Sequence, residues 1–140
     1  MSTIGFDTSN YTTSTAWTDG KTDINVRQIL YVKDGERGIR QSDGVFQHMK
    51  LMPVMYENLS EQIDFKDVKA VGVSTRPRCV EGSYMPVFLA GEGYAKVVAN
   101  TLGVPLYEFS HQDGHIMAGI LNCLKRILYR YTFRAVQRKF

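Results

Sequence analysis

The chain opens on alternation. Ile4, Phe6 and Thr8 alternate with Gly5, Asp7 and Ser9, the period of two that a half-buried strand requires. Thr12 to Thr18, rich in threonine and carrying Ala16 and Trp17, follows a short Ser9-Asn10-Tyr11 turn and predicts a second strand. In a third candidate, Ile24, Val26, Gln28, Leu30 and Val32 fall on one face and Asn25, Arg27 and Lys33 on the other, before the turn pair Asp34-Gly35. Three strands with short connections predict an antiparallel meander.

The period then lengthens. Val45, Met49, Met52, Tyr56 and Leu59 follow helical spacing, with Pro53 either kinking that run or opening a helix after a loop. Val68 to Val73 is short and almost continuously apolar, which predicts a strand covered on both faces. A second helix is expected from about Pro86 to Leu102, with Val87, Ala90, Tyr94, Val97 and Thr101 as its apolar stripe, Gly91 and Gly93 for close approach, and Gly103 as cap. Val104 to Phe109 predicts a further strand, and Ser110 is a good N-cap for a last helix over His111 to Gly119. The order is β-β-β-α-β-α-β-α, the pattern of an α/β domain with a mixed sheet and helices on both faces.

Composition sets the class. With 140 residues, 44% hydrophobic and 22% charged, the chain is long enough for one globular domain and too apolar to be disordered. No stretch approaches the run of about 18 apolar residues that a membrane span needs. No leader-like segment precedes Ile4, and Cys79 and Cys123 form neither a disulfide framework nor a zinc set, so a cytoplasmic protein with reduced thiols is expected. Charge is uneven: six of the 17 basic residues and none of the 14 acidic ones lie in residues 121–140, leaving 11 against 14 in the first 120. A basic block of this kind is read either as a nucleic-acid contact or as a solvated helix face.

Three places could carry chemistry. The hairpin from Asp7 to Ser14 sets a carboxylate beside hydroxyls and amides, as a phosphate-holding turn does, though ordinary turns favour the same residues. The loop from Thr75 to Ser83, leading to a helix, is either an anion site aided by Arg76 and Arg78 or a plain connection, and it lacks the Gly-Lys-Ser/Thr ending of a Walker A loop. In His111-Gln112-Asp113-Gly114-His115 the histidines are four apart, so a helix puts both imidazoles on one face where they can share a metal ion. Asp113 is then either an outer-shell orienter or a helix-start acid. Gln112 stands where a zinc peptidase of this spacing needs a glutamate base, which argues against proteolysis. His48, in an apolar helical stretch, reads as a hydrogen-bonded packing histidine; Cys79 has no partner to activate it, and Cys123 reads as a small filler.

Taken in order, Ile4-Gly5-Phe6-Asp7-Thr8-Ser9, Val71-Gly72-Val73-Ser74-Thr75, Gly82-Ser83 before a helix with Ala95-Lys96, and Val104-Pro105-Leu106 leading to Ser110-His111-Gln112-Asp113-Gly114-His115-Ile116 resemble the N-terminal half of the TsaD family, formerly called O-sialoglycoprotein endopeptidases or glycoproteases. The resemblance covers residues 1–120 or so, and the histidine motif is its most specific part. It implies one lobe of an actin-like ATPase (ribonuclease H-like) fold. It also implies the family's acyl transfer, in which threonylcarbamoyl-adenylate gives its threonylcarbamoyl group to N6 of an adenosine in tRNA. His111 and His115 match the family's metal ligands for one divalent ion, iron or zinc. Thr8, Ser9, Gly82 and Ser83 would line the cleft for threonylcarbamoyl-adenylate or ATP. Implied partners are tRNA, the other subunits of a threonylcarbamoyl transfer complex, and a homodimer or heterodimer through the lobe face. No membrane partner is implied.

The departures point to a divergent relative. Asp7-Thr8-Ser9-Asn10-Tyr11 stands where the family has Glu-Thr-Ser-Cys-Asp, and Arg76-Pro77-Arg78 replaces a Gly-Pro-Gly loop. The second lobe of the family is missing, and the resemblance stops where the charge changes, so residues 121–140 are expected to be a basic tail from a shifted reading frame, a pseudogene or a truncated product. The alternative is a non-catalytic actin-like lobe that serves as a partner or scaffold subunit in a tRNA-modification complex.

Overall fold

A computed structural model describes residues 1–9 and 11–121. Asn10 lies outside the described residues, as do Cys123 and all six basic residues of the 121–140 block. The elements run β1 (Ser2–Asp7), β2 (Thr12–Thr18), β3 (Asp23–Ile29), α1 (Gln41–Ser60), a 3-10 turn at Phe65–Asp67, β4 (Val68–Arg76), α2 (Phe88–Leu102) and β5 (Leu106–Ser110). A further helix, α3, begins at 111 and includes 121, the last described residue. The sheet order is β3-β2-β1-β4-β5, with β1 antiparallel to β2, β2 antiparallel to β3, and β1, β4 and β5 parallel. This is the mixed sheet that the chain pattern predicted. Among the described residues no helix is long and apolar enough to cross a membrane.

One face of the sheet carries the core. Ile4, Phe6, Val71 and Val73 point there and meet Met52, Leu59, Ala95 and Ala99 from α1 and α2. The opposite face shows Gly5, Ala16 and Gly72 side by side across three strands, since Gly5 pairs with both Ala16 and Gly72. Among the described elements only α3 approaches that face, so Val68–Val73 is covered on one side rather than two: Lys69 is exposed, and Ala70 and Gly72 are half-buried. The third strand stops at Ile29, and only Ile24 and Val26 of its predicted stripe within β3 are half-buried, because β3 is an edge strand.

Each long helix buries only part of the stripe expected of it: Met52 and Leu59 in α1, and Ala90 in α2 with Val87 just before it. In α1 the buried positions are Gly44, His48, Met52, Met55 and Leu59, while Met49 lies out. In α2, which starts at Phe88 and not at Pro86, they are Phe88, Ala90, Gly91, Ala95 and Ala99, while Val97 and Thr101 face solvent. On α2 the small residues Gly91, Ala95 and Ala99 face the sheet and let the helix axis come close, whereas α1 buries the larger Met52, Met55 and Leu59. His48 is fully buried, its Nδ1 2.7 Å from Thr13 Oγ1 on β2, the packing role expected of it. Gly103 closes α2 in the left-handed region at φ +66°, and Val104 N–H bonds back to Ala99 O at 3.0 Å.

Pro53 neither kinks the run into two helices nor opens a new one; α1 passes through it. A proline there leaves the Met49 carbonyl without its amide. Tyr94 on α2 supplies the replacement, its hydroxyl donating to Met49 O at 2.8 Å. Tyr94→Phe is therefore expected to cost about 1 kcal/mol in urea unfolding. In a Pro53→Ala background, where the substituted residue regains an N–H that can take that carbonyl, the cost should shrink. A double-mutant cycle in which the two changes simply add would contradict this pairing.

Candidate metal centre

The site forms where the parallel strands end. Asp7 is the last residue of β1, Ser74 lies near the end of β4, and His111 follows β5 as the first residue of α3. Carboxyl ends of parallel strands are where open α/β sheets collect ligand groups, because the chain leaves the sheet there and side chains converge above it.

The start of α3 is set by its own sequence. Ser110 Oγ accepts from Asp113 N–H at 3.0 Å, and the Asp113 carboxylate accepts from Ser110 N–H at 3.1 Å, a reciprocal capping box. These bonds to Ser110, with a lesser contribution from the Arg76 charge, hold the Asp113 carboxyl below the ordinary carboxylate value. Asp113 is thus the helix-start acid, and the orienting role falls elsewhere. Gln112 N–H also donates to Pro77 O at 3.1 Å, which ties this helix to the loop after β4.

With the helix start fixed, the histidines are brought together. His111 Nε2 and His115 Nε2 stand 2.7 Å apart, with ring centroids at 4.3 Å and planes at 81°. The other nitrogen of His111, Nδ1, lies 2.9 Å from Asp7 Oδ2. Asp7 is held in turn: Ser74 Oγ donates to Oδ2 at 2.7 Å, and Ser9 N–H donates to Oδ1 at 2.7 Å. Burial pushes the Asp7 carboxyl up, but the hydrogen bonds from Ser9, Ser74 and His111 together outweigh it and keep the group below its usual range. A carboxylate backing an imidazole is the arrangement that holds a metal-ligating histidine in place. The donor set fits a metal ion as a pair: tetrahedral Zn–N bonds of about 2.0–2.1 Å need ligand nitrogens roughly 3.3 Å apart, a small opening from the observed distance. Among the described residues no group of three or more His, Cys, Asp or Glu side chains gathers to complete the set.

Beside Asp7 the uncovered sheet face forms a cleft of about 400 Å³, floored by Gly5 and Gly72 and walled by Ser74, Phe109 and Met117. Thr8 and Ser9, expected to line a cleft, are not among the residues that line this one. Thr8 is fully buried, its hydroxyl donating to Val87 O at 2.8 Å and accepting from Gly91 N–H at 3.0 Å, so it staples β1 to the start of α2. Ser9 serves Asp7 through its amide. Gly82 and Ser83 are placed apart from these residues, in a turn that Ser83 N–H closes onto Val80 O at 3.2 Å with Gly82 at φ +74°. Ser83 Oγ accepts from Arg78 N–H, and α2 begins only at Phe88, so these two residues do not sit at a helix N-terminus. Arg76 folds back onto its own loop, toward Thr75 Oγ1 and Cys79 Sγ. In the sequence Ser74 stands out only as part of the Val71-Gly72-Val73-Ser74-Thr75 segment, and nothing there marks it as a partner of Asp7.

No protein-family model matches the chain. A tRNA N6-adenosine threonylcarbamoyltransferase of Clostridium kluyveri is 36% identical over 76 residues, 53% of this chain and 21% of that protein. One from Pyrobaculum calidifontis is 28% identical over 115 residues, 81% of this chain and 32% of that protein. The chain therefore spans about a fifth to a third of the relatives it matches. In structure it is similar to YeaZ from Pseudomonas aeruginosa, with a TM-score of 0.53 at 18% identity over 79% of this chain and 43% of that one. The likeness to the threonylcarbamoyltransferases read from the motifs is thus found, and the fold is one lobe of the actin-like, ribonuclease H-like kind.

Proposed function

We propose that this chain is a divergent TsaD-like lobe that takes part in threonylcarbamoyl transfer to N6 of adenosine in tRNA, in the cytoplasm. The observation that carries the reading is the His111–His115 pair, backed by Asp7 at the strand ends, in a chain whose relatives bear that enzyme's name. Its partners on this reading are tRNA and the other subunits of a threonylcarbamoyl transfer complex.

The two imidazoles would hold one divalent ion, iron or zinc. When bound, that ion supplies Lewis-acid polarisation of the carbamoyl carbonyl. The residues of the chain do the rest of the positioning. The capping box of Ser110 and Asp113 fixes where α3 leaves the sheet, and with it both histidines. Thr8 fixes the end of β1 against α2 and so sets the height of Asp7. Gly5 and Gly72 keep the floor of the cleft low, which leaves room for the acyl-adenylate, threonylcarbamoyl-adenylate, or for ATP. The test is direct: full chain loaded with zinc or iron, synthetic threonylcarbamoyl-adenylate and unmodified tRNA, alone and with a purified second lobe. Modified adenosine in the digested tRNA is the expected product. Loaded protein that gives none in either mixture overturns the reading.

A second reading is supported by the exposed apolar surface, on which Phe109 and Met117 beside the cleft and Leu121 on α3 are each about half exposed. It makes the chain a non-catalytic lobe in the same complex, covered on that face by a second actin-like subunit. Sedimentation should then show dimers or heterodimers, and a clean monomer with full transfer activity would exclude it.

A further inference from the structure

The hydrogen-bond chain that starts at the sheet has a direction. Asp7 is an ionised carboxylate that already accepts from Ser74 Oγ at 2.7 Å and Ser9 N–H at 2.7 Å, and it has no hydrogen to give. The nitrogen of His111 that meets it, Nδ1 at 2.9 Å, must therefore carry the hydrogen. In a neutral imidazole this leaves Nε2 with a bare lone pair, and that is the atom 2.7 Å from His115 Nε2. His115 must then be the donor of the second bond, with its hydrogen on Nε2.

We infer that Asp7 is the positioning residue of the site: it locks His111 in the Nδ1–H form, so that one histidine is preset as a ligand and the other, His115, switches its hydrogen from Nε2 to Nδ1 when a metal ion enters. The inference rests on the metal reading for what the preset is for, but the locked form itself follows from the hydrogen bonds alone. Three strand ends build it. Asp7 comes from β1, Ser74 from the neighbouring β4, and His111 from the helix after β5, so the imidazole is referenced to the rigid sheet and not to its own helix alone. Fixing the tautomer and ring plane raises affinity because binding then has less to organise, and loss of such a partner weakens metal binding by about 10–100-fold.

The experiment uses the full chain with ¹⁵N-labelled histidine, metal-free, at a pH where imidazoles are neutral. Long-range ¹H–¹⁵N correlation is expected to show His111 wholly Nδ1–H and His115 predominantly Nε2–H. Titration with zinc should move the hydrogen of His115 and leave that of His111 in place. Asp7→Ala should return His111 to the mixture of free histidine and weaken zinc binding by about 10–100-fold. Tyr94→Phe, which removes a bond between α2 and α1 and touches none of these residues, should change neither. A wild-type His111 found in the Nε2–H form or in the free-histidine mixture overturns the assignment, whether or not Asp7→Ala folds. Equal zinc affinity and an unchanged His111 in Asp7→Ala overturn it as well. If wild type binds no zinc while His111 is Nδ1–H, the metal reading fails and the role of Asp7 in holding the ring stands.

Discussion

His115→Ala should lose metal binding while the fold survives. His115 is exposed, and it meets His111 through the 2.7 Å bond and the edge-to-face ring contact, so its removal leaves no buried group stranded. His111→Ala should lose the metal equally but also weaken the fold, because the Asp7 carboxylate then loses one of its donors, a hydrogen bond to a charged group worth about 1.5–3 kcal/mol. Zinc affinity is expected to fall at least about 100-fold in either variant, since losing a direct ligand should cost no less than the upper end of what losing an outer-shell partner costs. The readout is a thermal shift. Zinc at about 100 times the wild-type Kd should stabilise wild type by about 2.7 kcal/mol and either variant by no more than about 0.4 kcal/mol. Wild type that shows no zinc-dependent shift and no stoichiometric metal would remove the chief support for the transferase reading. A full-sized shift that persists in His115→Ala would place the metal elsewhere.

How far the sequence could lead differed between the fold and the site. Strand β2 begins and ends where its run of threonines does, and Ser110 and Gly103 mark helix ends because cap chemistry is local. The stripes of α1 and α2 were harder, since each helix carries two adjoining apolar strips. Val45, Met49, Leu89 and Val97 are the larger residues, but they line a groove between the two helices, and the sheet takes Gly91, Ala95 and Ala99. On α2 size alone misleads, because close packing selects small residues on its buried side, while in α1 the large Met52, Met55 and Leu59 do face the core. At the site, the spacing of His111 and His115 was readable since four residues of helix are enough to bring them together. Asp7 and His111 are 104 residues apart, and nothing but the strand order places one beside the other. Asp113, nearer in sequence, was spent on the cap instead.

Gly91→Ala and Gly93→Ala, two residues apart on one helix, are expected to move stability in opposite directions. Helix propensity favours alanine over glycine by about 1 kcal/mol at either position. At Gly93 nothing lies within 4 Å of the added methyl, so that gain should appear as about 0.5–1 kcal/mol of stabilisation. At Gly91 the methyl would stand 2.9 Å from Thr8 Oγ1 and 3.3 Å from Thr8 Cγ2. Thr8 cannot step aside: it is fully buried, and its hydroxyl bridges Val87 O and Gly91 N–H across the joint between β1 and α2. Relief therefore means sliding α2 off the sheet or breaking both bonds. Overpacking of this kind costs about 1–3 kcal/mol, and a stranded buried hydroxyl adds about 1–3 more, so the propensity gain is outweighed. Net destabilisation of about 2–4 kcal/mol should be read in urea unfolding. Thr8→Ala in the Gly91→Ala background should recover part of it by making room for the methyl. Recovery ties the loss to this one contact, and its absence would mean that the start of α2 is set by something other than Thr8.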